Sequence, residues 1–151
     1  MNIEFILNQI LDKLKSIDIY RVILFGSYAK AEATPDSDID LVIILNNDDL
    51  SKTFSQKAER DAGVRELLAD IYFKYEMDIL IYSKTEFNEV KNRGNFFISE
   101  VERTGKIIYE KGKRRMIEGL NNQKPNRINI EPILNQILER LKNIKLYKVI
   151  L

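Results

Sequence analysis

Cysteine and histidine are both absent from this sequence of 151 residues. Without cysteine, the chain can form no disulfide and has no thiolate for nucleophilic attack or metal binding. Without histidine, it lacks the commonest general base and the imidazole ligands of many metal sites. Any catalysis by this chain must therefore use carboxylates, hydroxyls, lysine, arginine or a bound metal ion.

A strong net charge and long apolar runs are also missing. The 24 basic and 23 acidic residues leave a net charge of +1, so no strong attraction to nucleic acid or to a membrane surface is indicated. No apolar run reaches membrane-spanning length, and the acidic residues Glu4 and Asp12 are unlike the start of a signal peptide. With 44% hydrophobic and 31% charged residues, the sequence is typical of a globular protein. We expect it in the cytoplasm.

The segment 24–45 carries the clearest functional pattern. It reads as the end of an apolar strand, a Gly-Ser turn, a polar stretch and a second apolar strand that begins at Asp38. Since residues alternate between the two faces of a strand, Asp38 and Asp40 would point to the same side. The following residues 41–45 are apolar on both faces, as in a strand buried on both sides. An unpaired carboxylate pair at the mouth of such a strand is costly, and Mg²⁺ is a suitable partner for it.

The Gly-Ser turn is the second part of this pattern. Gly26 and Ser27 follow the first apolar strand directly, and a short helix is predicted over residues 28–33. Glycine lets the backbone approach a ligand closely, and the first N–H groups of the helix can bind a phosphate. Ser27 adds a hydroxyl group and Lys30 a positive charge. Gly-Ser turns and Asp-x-Asp pairs are each common alone, so the prediction depends on their combination.

The combination resembles the signature of the polymerase-β-like nucleotidyltransferases, in which a Gly-Ser pair, here at 26–27, precedes an Asp-x-Asp pair, here at 38–40, with ten residues between them. It is particularly similar to the minimal nucleotidyltransferases, which often partner HEPN-domain proteins. The family motif continues Gly-Ser-x-Ala-Arg-Gly. In this chain Ala29 matches, Lys30 replaces the arginine and Ala31 replaces the second glycine.

The resemblance implies a third carboxylate on a neighbouring strand. The candidate is Asp78, in the apolar run 76–82, and Glu76 on the same strand face is the rival. We prefer Asp78 because it lies deeper in the run and matches the position of the family's carboxylate. The alternative is that it is a surface acid at the start of a strand. By the resemblance, Asp38, Asp40 and Asp78 would be the metal-binding and catalytic residues.

The same resemblance implies a reaction. The chain would transfer AMP from ATP with the help of two Mg²⁺ ions, while Gly26, Ser27 and Lys30 bind the phosphates of the nucleotide. The implied acceptor is a tyrosine of a cognate HEPN toxin, which would make this chain an antitoxin. Two alternatives stay open: the chain neutralises a partner by binding alone, or it modifies a small molecule such as an aminoglycoside.

The remaining patterns predict an α/β (α+β) fold of the polymerase-β-like type, with a mixed sheet of about four strands flanked by helices. Helices are expected at 2–17, 50–75, 84–92 and 95–104, and strands at 19–25, 38–45, 76–82 and 106–109. The long second helix has a possible interruption at Gly63. Asn2 is a candidate N-cap, Ser83 and Glu86 form a candidate capping box, and Phe96 is expected to lie partly inward.

The end of the chain repeats its beginning. Residues 129–151 match residues 2–24 at 16 of 23 aligned positions, so the first helix and strand recur without the turn or the aspartates. We assign residues 1–112 to a nucleotidyltransferase domain, 113–128 to a linker and 129–151 to a truncated repeat. The repeat has an apolar stripe that should not remain exposed. We expect it to pack on this domain, on another copy of the chain or on a partner.

Overall fold

The structure, a computed structural model, describes residues 2–48, 53–113, 117, 119–120 and 135–139. The helices of the domain are α1 (Ile3–Leu14), α2 (Gly26–Lys30), α3 (Phe54–Leu67), α4 (Ala69–Tyr72), α5 (Lys84–Asn92) and α6 (Phe96–Thr104). The strands are β1 (Ile19–Phe25), β2 (Ile39–Leu45), β3 (Met77–Ser83) and β4 (Lys106–Glu110). Residues 135–139 are also helical. None of the helices in these ranges is both long and apolar enough to cross a membrane.

The four strands form one mixed sheet in the order β3-β2-β1-β4, which confirms the predicted fold class. Strand β1 runs antiparallel to both β2 and β4, whereas β2 and β3 are parallel. The parallel pair needs a crossover connection, which α3 and α4 supply. Strands β1 and β2 are therefore central, with neighbours on both sides, and their apolar residues are buried almost without exception.

Helices cover both faces of the sheet. Helices α1, α3 and α4 pack on one face, in the larger hydrophobic cluster. Helices α5 and α6 pack on the other face, around Phe87, Ile98 and Val101. The alternation of side chains along the central strands divides them between the two clusters, because Leu41 contributes to the first and Val42 to the second.

The predicted helix caps are present. The side chain of Asn2 accepts a hydrogen bond from the backbone N–H of Phe5 at the start of α1. At the start of α5, the hydroxyl of Ser83 accepts from the N–H of Glu86, and the Glu86 carboxylate accepts from the N–H of Ser83. These reciprocal bonds satisfy donors that a helix terminus otherwise leaves free. They explain why the bounds of α5 agree with the prediction.

Helix boundaries near two glycines differ from the prediction. Helix α3 runs through Gly63 and ends at Leu67, so the predicted interruption at Gly63 was wrong. A glycine in a helix interior costs only about 1 kcal/mol relative to alanine, which the packing of the helix outweighs. The helical path breaks at Leu68, which is fully buried. Helix α2 begins at Gly26, two residues earlier than predicted, and ends at Lys30.

Two further predictions were wrong in part. Asp38 lies one residue before β2, which begins at Ile39. Phe96, expected partly inward, has 83% of its surface exposed, because it occupies the first position of α6 on the side away from Ile98. The next residue, Phe97, is 38% exposed, and only Ile98 and Val101 of this helix are buried.

Most of the second copy lies outside the described residues, and so do the predicted packing of its stripe and most of the predicted linker. Two positions in the segment assigned as linker, Ile117 and Leu120, are buried in the larger cluster. The described helix 135–139 is exposed along its length, with Ile137 at 48% and Leu138 at 54%. The three domain boundaries stay predictions.

Candidate active site

Two of the three predicted carboxylates are neighbours across the sheet. Asp40 pairs with Phe25 of β1 on one side and with Asp78 of β3 on the other. Paired residues on adjacent strands project to the same face. Asp40 and Asp78, each the second residue of its strand, therefore lie side by side. Asp38 lies just before β2 and is exposed.

Phe25, Asp40 and Asp78 form a row across three strands. The Gly-Ser turn packs directly on Asp40 of this row. Gly26 has a φ of +67°, and a Cβ atom built on it would lie 2.0 Å from Oδ2 and 2.9 Å from Cγ of Asp40. No other residue can occupy this position without moving the carboxylate. Glycine is required here for two independent reasons, because the φ is left-handed and the backbone touches Asp40.

The environment of Asp40 disfavours its charged form. Burial, followed by the negative charges of Asp78 and Asp38, raises the pKa of Asp40 above its ordinary value. Glu76, the rival candidate, is not among these causes; its backbone carbonyl instead accepts a hydrogen bond from Ile39 N at 3.0 Å. Asp38 and Asp78, the other two carboxylates predicted from the sequence, thus act electrostatically on Asp40.

The residues predicted to bind phosphate lie on α2. Ser27 is half-buried in the first turn of this helix, beside Gly26. Lys30 is in its last turn, with Nζ 3.6 Å from the Glu100 carboxylate of α6. Both side chains of that ion pair are partly exposed, at 42% for Lys30 and 30% for Glu100, so the pair is weak. The sequence analysis did not identify Glu100, because an ion pair between distant helices leaves no local pattern.

Ala31, which replaces the second glycine of the family motif, ends α2 in the left-handed conformation with a φ of +63°. Its N–H donates to the carbonyl of Ser27, and the N–H of Glu32 donates to the same carbonyl. Such a C-terminal position favours glycine because it carries no Cβ. The loop therefore keeps the backbone path that a glycine would take, at a cost of about 1–2 kcal/mol for the alanine.

The arginines of α3 do not point to the aspartates. Arg65 donates to the carbonyl of Ile79 at 2.7 Å. Arg60 donates to the carboxylate of Glu86 at 2.8 Å and more weakly to the carbonyl of Ile81 at 3.5 Å. Both carbonyls belong to β3, an edge strand, so these arginines cover polar groups that the sheet leaves unpaired.

An aromatic pair at the end of the row was not identified as part of the site. The ring of Phe25, the residue before Gly26, meets the ring of Phe97 edge to face, with centroids 5.4 Å apart and an angle of 83° between the planes. This pair joins α6 to the end of β1. The only sequence signal was the position of Phe25 directly before the Gly-Ser turn.

The donor set suits a hard divalent cation. Asp38, Asp40 and Asp78 offer carboxylate oxygens, and a cation near them would oppose the burial and the like charges that raise the pKa of Asp40. Among the residues described, no three acidic side chains are close enough to enclose an ion on their own. The pair that the structure brings together is Asp40 and Asp78, and Mg²⁺ can bind to one or two carboxylates when water and substrate phosphates complete its shell.

Comparison with known proteins gives one family and several similar chains. The profile of the nucleotidyltransferase domain matches residues 7–93, a range that contains the turn and all three aspartates. A candidate protein adenylyltransferase of Methanocaldococcus jannaschii, MJ1305, is 34% identical over 77 residues, which are 49% of this chain and 49% of that protein. The chain thus matches about half the length of this curated relative.

Two solved structures are similar at low sequence identity. A candidate nucleotidyltransferase from Sulfolobus solfataricus is 12% identical, with a TM-score of 0.44 over 75% of this chain and 81% of its own. A toxin-antitoxin structure with AMP-PNP is 14% identical, with a TM-score of 0.42 over 95% of this chain and 98% of its own.

Proposed function

Because the chain belongs to the nucleotidyltransferase domain family, we propose that it transfers AMP from ATP to a hydroxyl group of a protein acceptor. The observation that carries the proposal is the contact between Gly26 and Asp40, with Asp78 paired beside them. It supports the proposal because the turn that would bind phosphate lies next to the carboxylate pair that would bind the metal. We place the reaction in the cytoplasm, where ATP is formed and used.

Asp38, Asp40 and Asp78 would hold Mg²⁺, and the family resemblance implies two ions. When bound, such ions neutralise the triphosphate and lower the pKa of an attacking hydroxyl. The acceptor oxygen forms a bond to the α-phosphorus of ATP, and the bond from that phosphorus to the bridging oxygen of the β-phosphate breaks. Pyrophosphate leaves, and the proton of the hydroxyl passes to a carboxylate. Asp78 is suited to receive the proton, because this residue is exposed.

The turn supplies the phosphate contacts. The backbone at Gly26 lies against Asp40, so phosphates bound there are next to the carboxylates. Ser27 directly follows Gly26, and its hydroxyl can donate to a β- or γ-phosphate oxygen. Lys30 would exchange its weak contact with Glu100 for a phosphate, which is a stronger, charge-assisted interaction.

The acceptor in this proposal is a tyrosine of a HEPN toxin, which makes the chain an antitoxin. A protein acceptor is supported by the name of the M. jannaschii relative, a candidate protein adenylyltransferase. The HEPN partner comes from the resemblance to the minimal nucleotidyltransferases.

The test compares ATP labelled at the α-phosphate with ATP labelled at the γ-phosphate, with Mg²⁺ and a HEPN-domain protein as the acceptor. We expect transfer of the α label only, and its loss in Asp40→Asn. Asp36→Asn is the matched control, because Asp36 is an exposed aspartate of the same loop outside the row, and it should retain transfer.

Other results would overturn the proposal. Transfer of the γ label would indicate a kinase-type reaction. Stable binding of the HEPN protein without transfer, unchanged in Asp40→Asn, would establish the binding module. Transfer to an aminoglycoside instead of the protein would establish the small-molecule reaction.

A further inference from the structure

The segment formed by α1 and β1 fills one position in the fold, which we call the slot. Strand β1 lies between β2 and β4, and α1 packs on the face of the sheet that carries the larger cluster. The residues of this segment that fill the slot are almost completely buried: Ile3, Ile6, Leu7, Ile10, Leu11, Leu14, Ile19, Val22, Ile23 and Leu24.

The second copy at residues 129–151 keeps these slot-filling residues. Each buried residue of the first copy recurs unchanged in the second, except that Leu146 stands where the first copy has Ile19. The other six differences fall at positions that are exposed or partly exposed in the first copy. A repeat that is not required to fit the slot would place its differences without regard to burial.

The ion pairs of the first copy are mostly kept as well. Lys13 contacts Asp70 at 2.9 Å, and the second copy has an arginine there. Arg21 contacts Glu110 at 2.6 Å, and the second copy has Lys148. Both substitutions keep the positive charge that faces the acidic partner.

Two differences weaken the second copy. Asp18 contacts Lys111 at 2.7 Å and accepts a hydrogen bond from Asn46, but Lys145 occupies the equivalent position and would face Lys111 with a like charge. Pro132 replaces Phe5, whose N–H donates to the N-cap of α1, and proline has no N–H. The first copy should therefore hold the slot more strongly.

Two apolar side chains in the described helix of the second copy are partly exposed to solvent. Ile137 and Leu138, in the described helix, are about half exposed, whereas their equivalents Ile10 and Leu11 are buried. The chain between the copies is long enough for exchange within one molecule. Leu120 is buried in the same cluster as α1, and the eight residues 121–128 can extend about 26 Å.

We propose that residues 129–151 compete with residues 2–24 of the same chain for the slot. Attachment by a short linker gives the second copy a high effective concentration at its own domain, which favours the same chain over another copy as its source. The first copy occupies the slot in the described structure, and the second is the weaker competitor.

The exchange would also open the active site. Gly26 is held against Asp40 because it follows Phe25 at the end of β1. When the second copy fills the slot, no peptide bond ties that strand to Gly26, and the turn is released from Asp40. This consequence rests on the proposed function, whereas the exchange itself does not.

Disulfide formation can measure which copy fills the slot, because the chain has no cysteine of its own. Position 21 pairs with position 110 between β1 and β4, and position 148 is its equivalent in the second copy. In the triple variant Arg21→Cys, Lys148→Cys and Glu110→Cys, the two copies compete for one cysteine. Mass spectrometry of the linked peptides then gives the ratio of the 148–110 bond to the 21–110 bond.

We expect both bonds within one chain, with the 21–110 bond in excess. Exchanging the charges by Asp18→Lys and Lys145→Asp should raise the ratio about threefold or more, since each exposed ion pair changes an equilibrium by a few fold. Placing the cysteine at Glu139 instead of Lys148 is the control, because its equivalent Asp12 is exposed, and it should form no bond to position 110.

Absence of the 148–110 bond in both charge backgrounds, while the 21–110 bond forms, would overturn the proposal. A 148–110 bond only between chains would overturn its assignment to the same molecule. Hydrogen exchange on the protein without cysteine provides a second measurement if the triple variant does not fold. The charge exchange should lower amide protection at 22–24 and raise it at 149–151, each by about threefold, and unchanged protection at 22–24 would contradict the proposal. Loss of nucleotidyl transfer in all forms would refute the proposed function alone.

Discussion

Replacing Gly26 by alanine tests the contact that defines the candidate active site. The new Cβ would lie 2.0 Å from Oδ2 of Asp40, at a backbone φ of +67°. The substitution thus combines a strained backbone with a steric clash. Gly94 allows the two effects to be separated, because its φ is +72° and a Cβ there would meet no atom within 4 Å.

The expected magnitudes follow from these two geometries. An alanine in the left-handed region costs about 1–2 kcal/mol, and its smaller unfolded-state entropy returns about 0.4–1 kcal/mol. Gly94→Ala should therefore destabilise the fold by about 1 kcal/mol. Gly26→Ala adds overpacking against Asp40, typically about 1–3 kcal/mol. Its total of about 2–4 kcal/mol should lower the melting temperature by about 4–16 °C for a chain of this size.

Urea unfolding of the single and double variants measures the clash directly. Asp40→Ala removes Oδ2 and Cγ and leaves the Cβ, which is 3.3 Å from the new methyl group. In that background Gly26→Ala should cost no more than Gly94→Ala, so the double-mutant cycle should give a coupling of about 1–3 kcal/mol. Gly63→Ala, in an open helix interior, should instead stabilise by about 0.5–1 kcal/mol. Equal costs for Gly26→Ala and Gly94→Ala, with no coupling to Asp40, would refute the packing of the turn on the carboxylate.

Three further predictions concern charge and backbone. Because the pKa of Asp40 is raised above its ordinary value of 3.8, its ionisation destabilises the fold above that raised pKa, and the effect disappears at a pH below 3.8. Asp40→Asn should therefore melt higher than the wild type at pH 7 and equally at pH 3, and equal melting at pH 7 would contradict this. Ala31→Gly relieves a φ of +63° and should stabilise by about 0.5–1 kcal/mol in urea unfolding; a loss of stability would show that the backbone is not strained there. Ser83→Ala removes the cap of α5 and should cost about 1 kcal/mol, whereas an unchanged midpoint would show that the capping box contributes nothing.

Local signals in the sequence were sufficient for much of the fold. The bounds of β1 follow from an apolar run interrupted only by Arg21, and those of α5 from the capping box that Ser83 begins. Such patterns act within a few residues, so they are visible in the sequence. Gly63 shows the limit of this approach, because its preference against helix is small and the packing of α3 decides the outcome. The break at Leu68 depends on its burial beneath the sheet, which no local pattern reveals.

The candidate site, like the fold, was only partly predictable from local sequence patterns. The spacing of Asp38 and Asp40 could be read from the sequence, and so could the need for glycine in the turn. The position of Asp78 beside Asp40 depends on the parallel register of β2 and β3, which only the resemblance to a family suggested. The contact of Lys30 with Glu100 joins residues 70 positions apart, and it could not be predicted from either segment.

The location of the carboxylates explains how the fold can tolerate them. Asp40 is a destabilising group in the folded chain, because burial and two like charges oppose its ionisation. It is followed directly in β2 by five apolar residues, of which Leu41 and Val42 are fully buried on opposite faces. Their burial contributes about 1.5–3 kcal/mol for each large side chain, which acts against the destabilisation caused by ionised Asp40. A charged site at the end of a central strand is thus stabilised by the strand that positions it, and a bound cation would remove the remaining penalty.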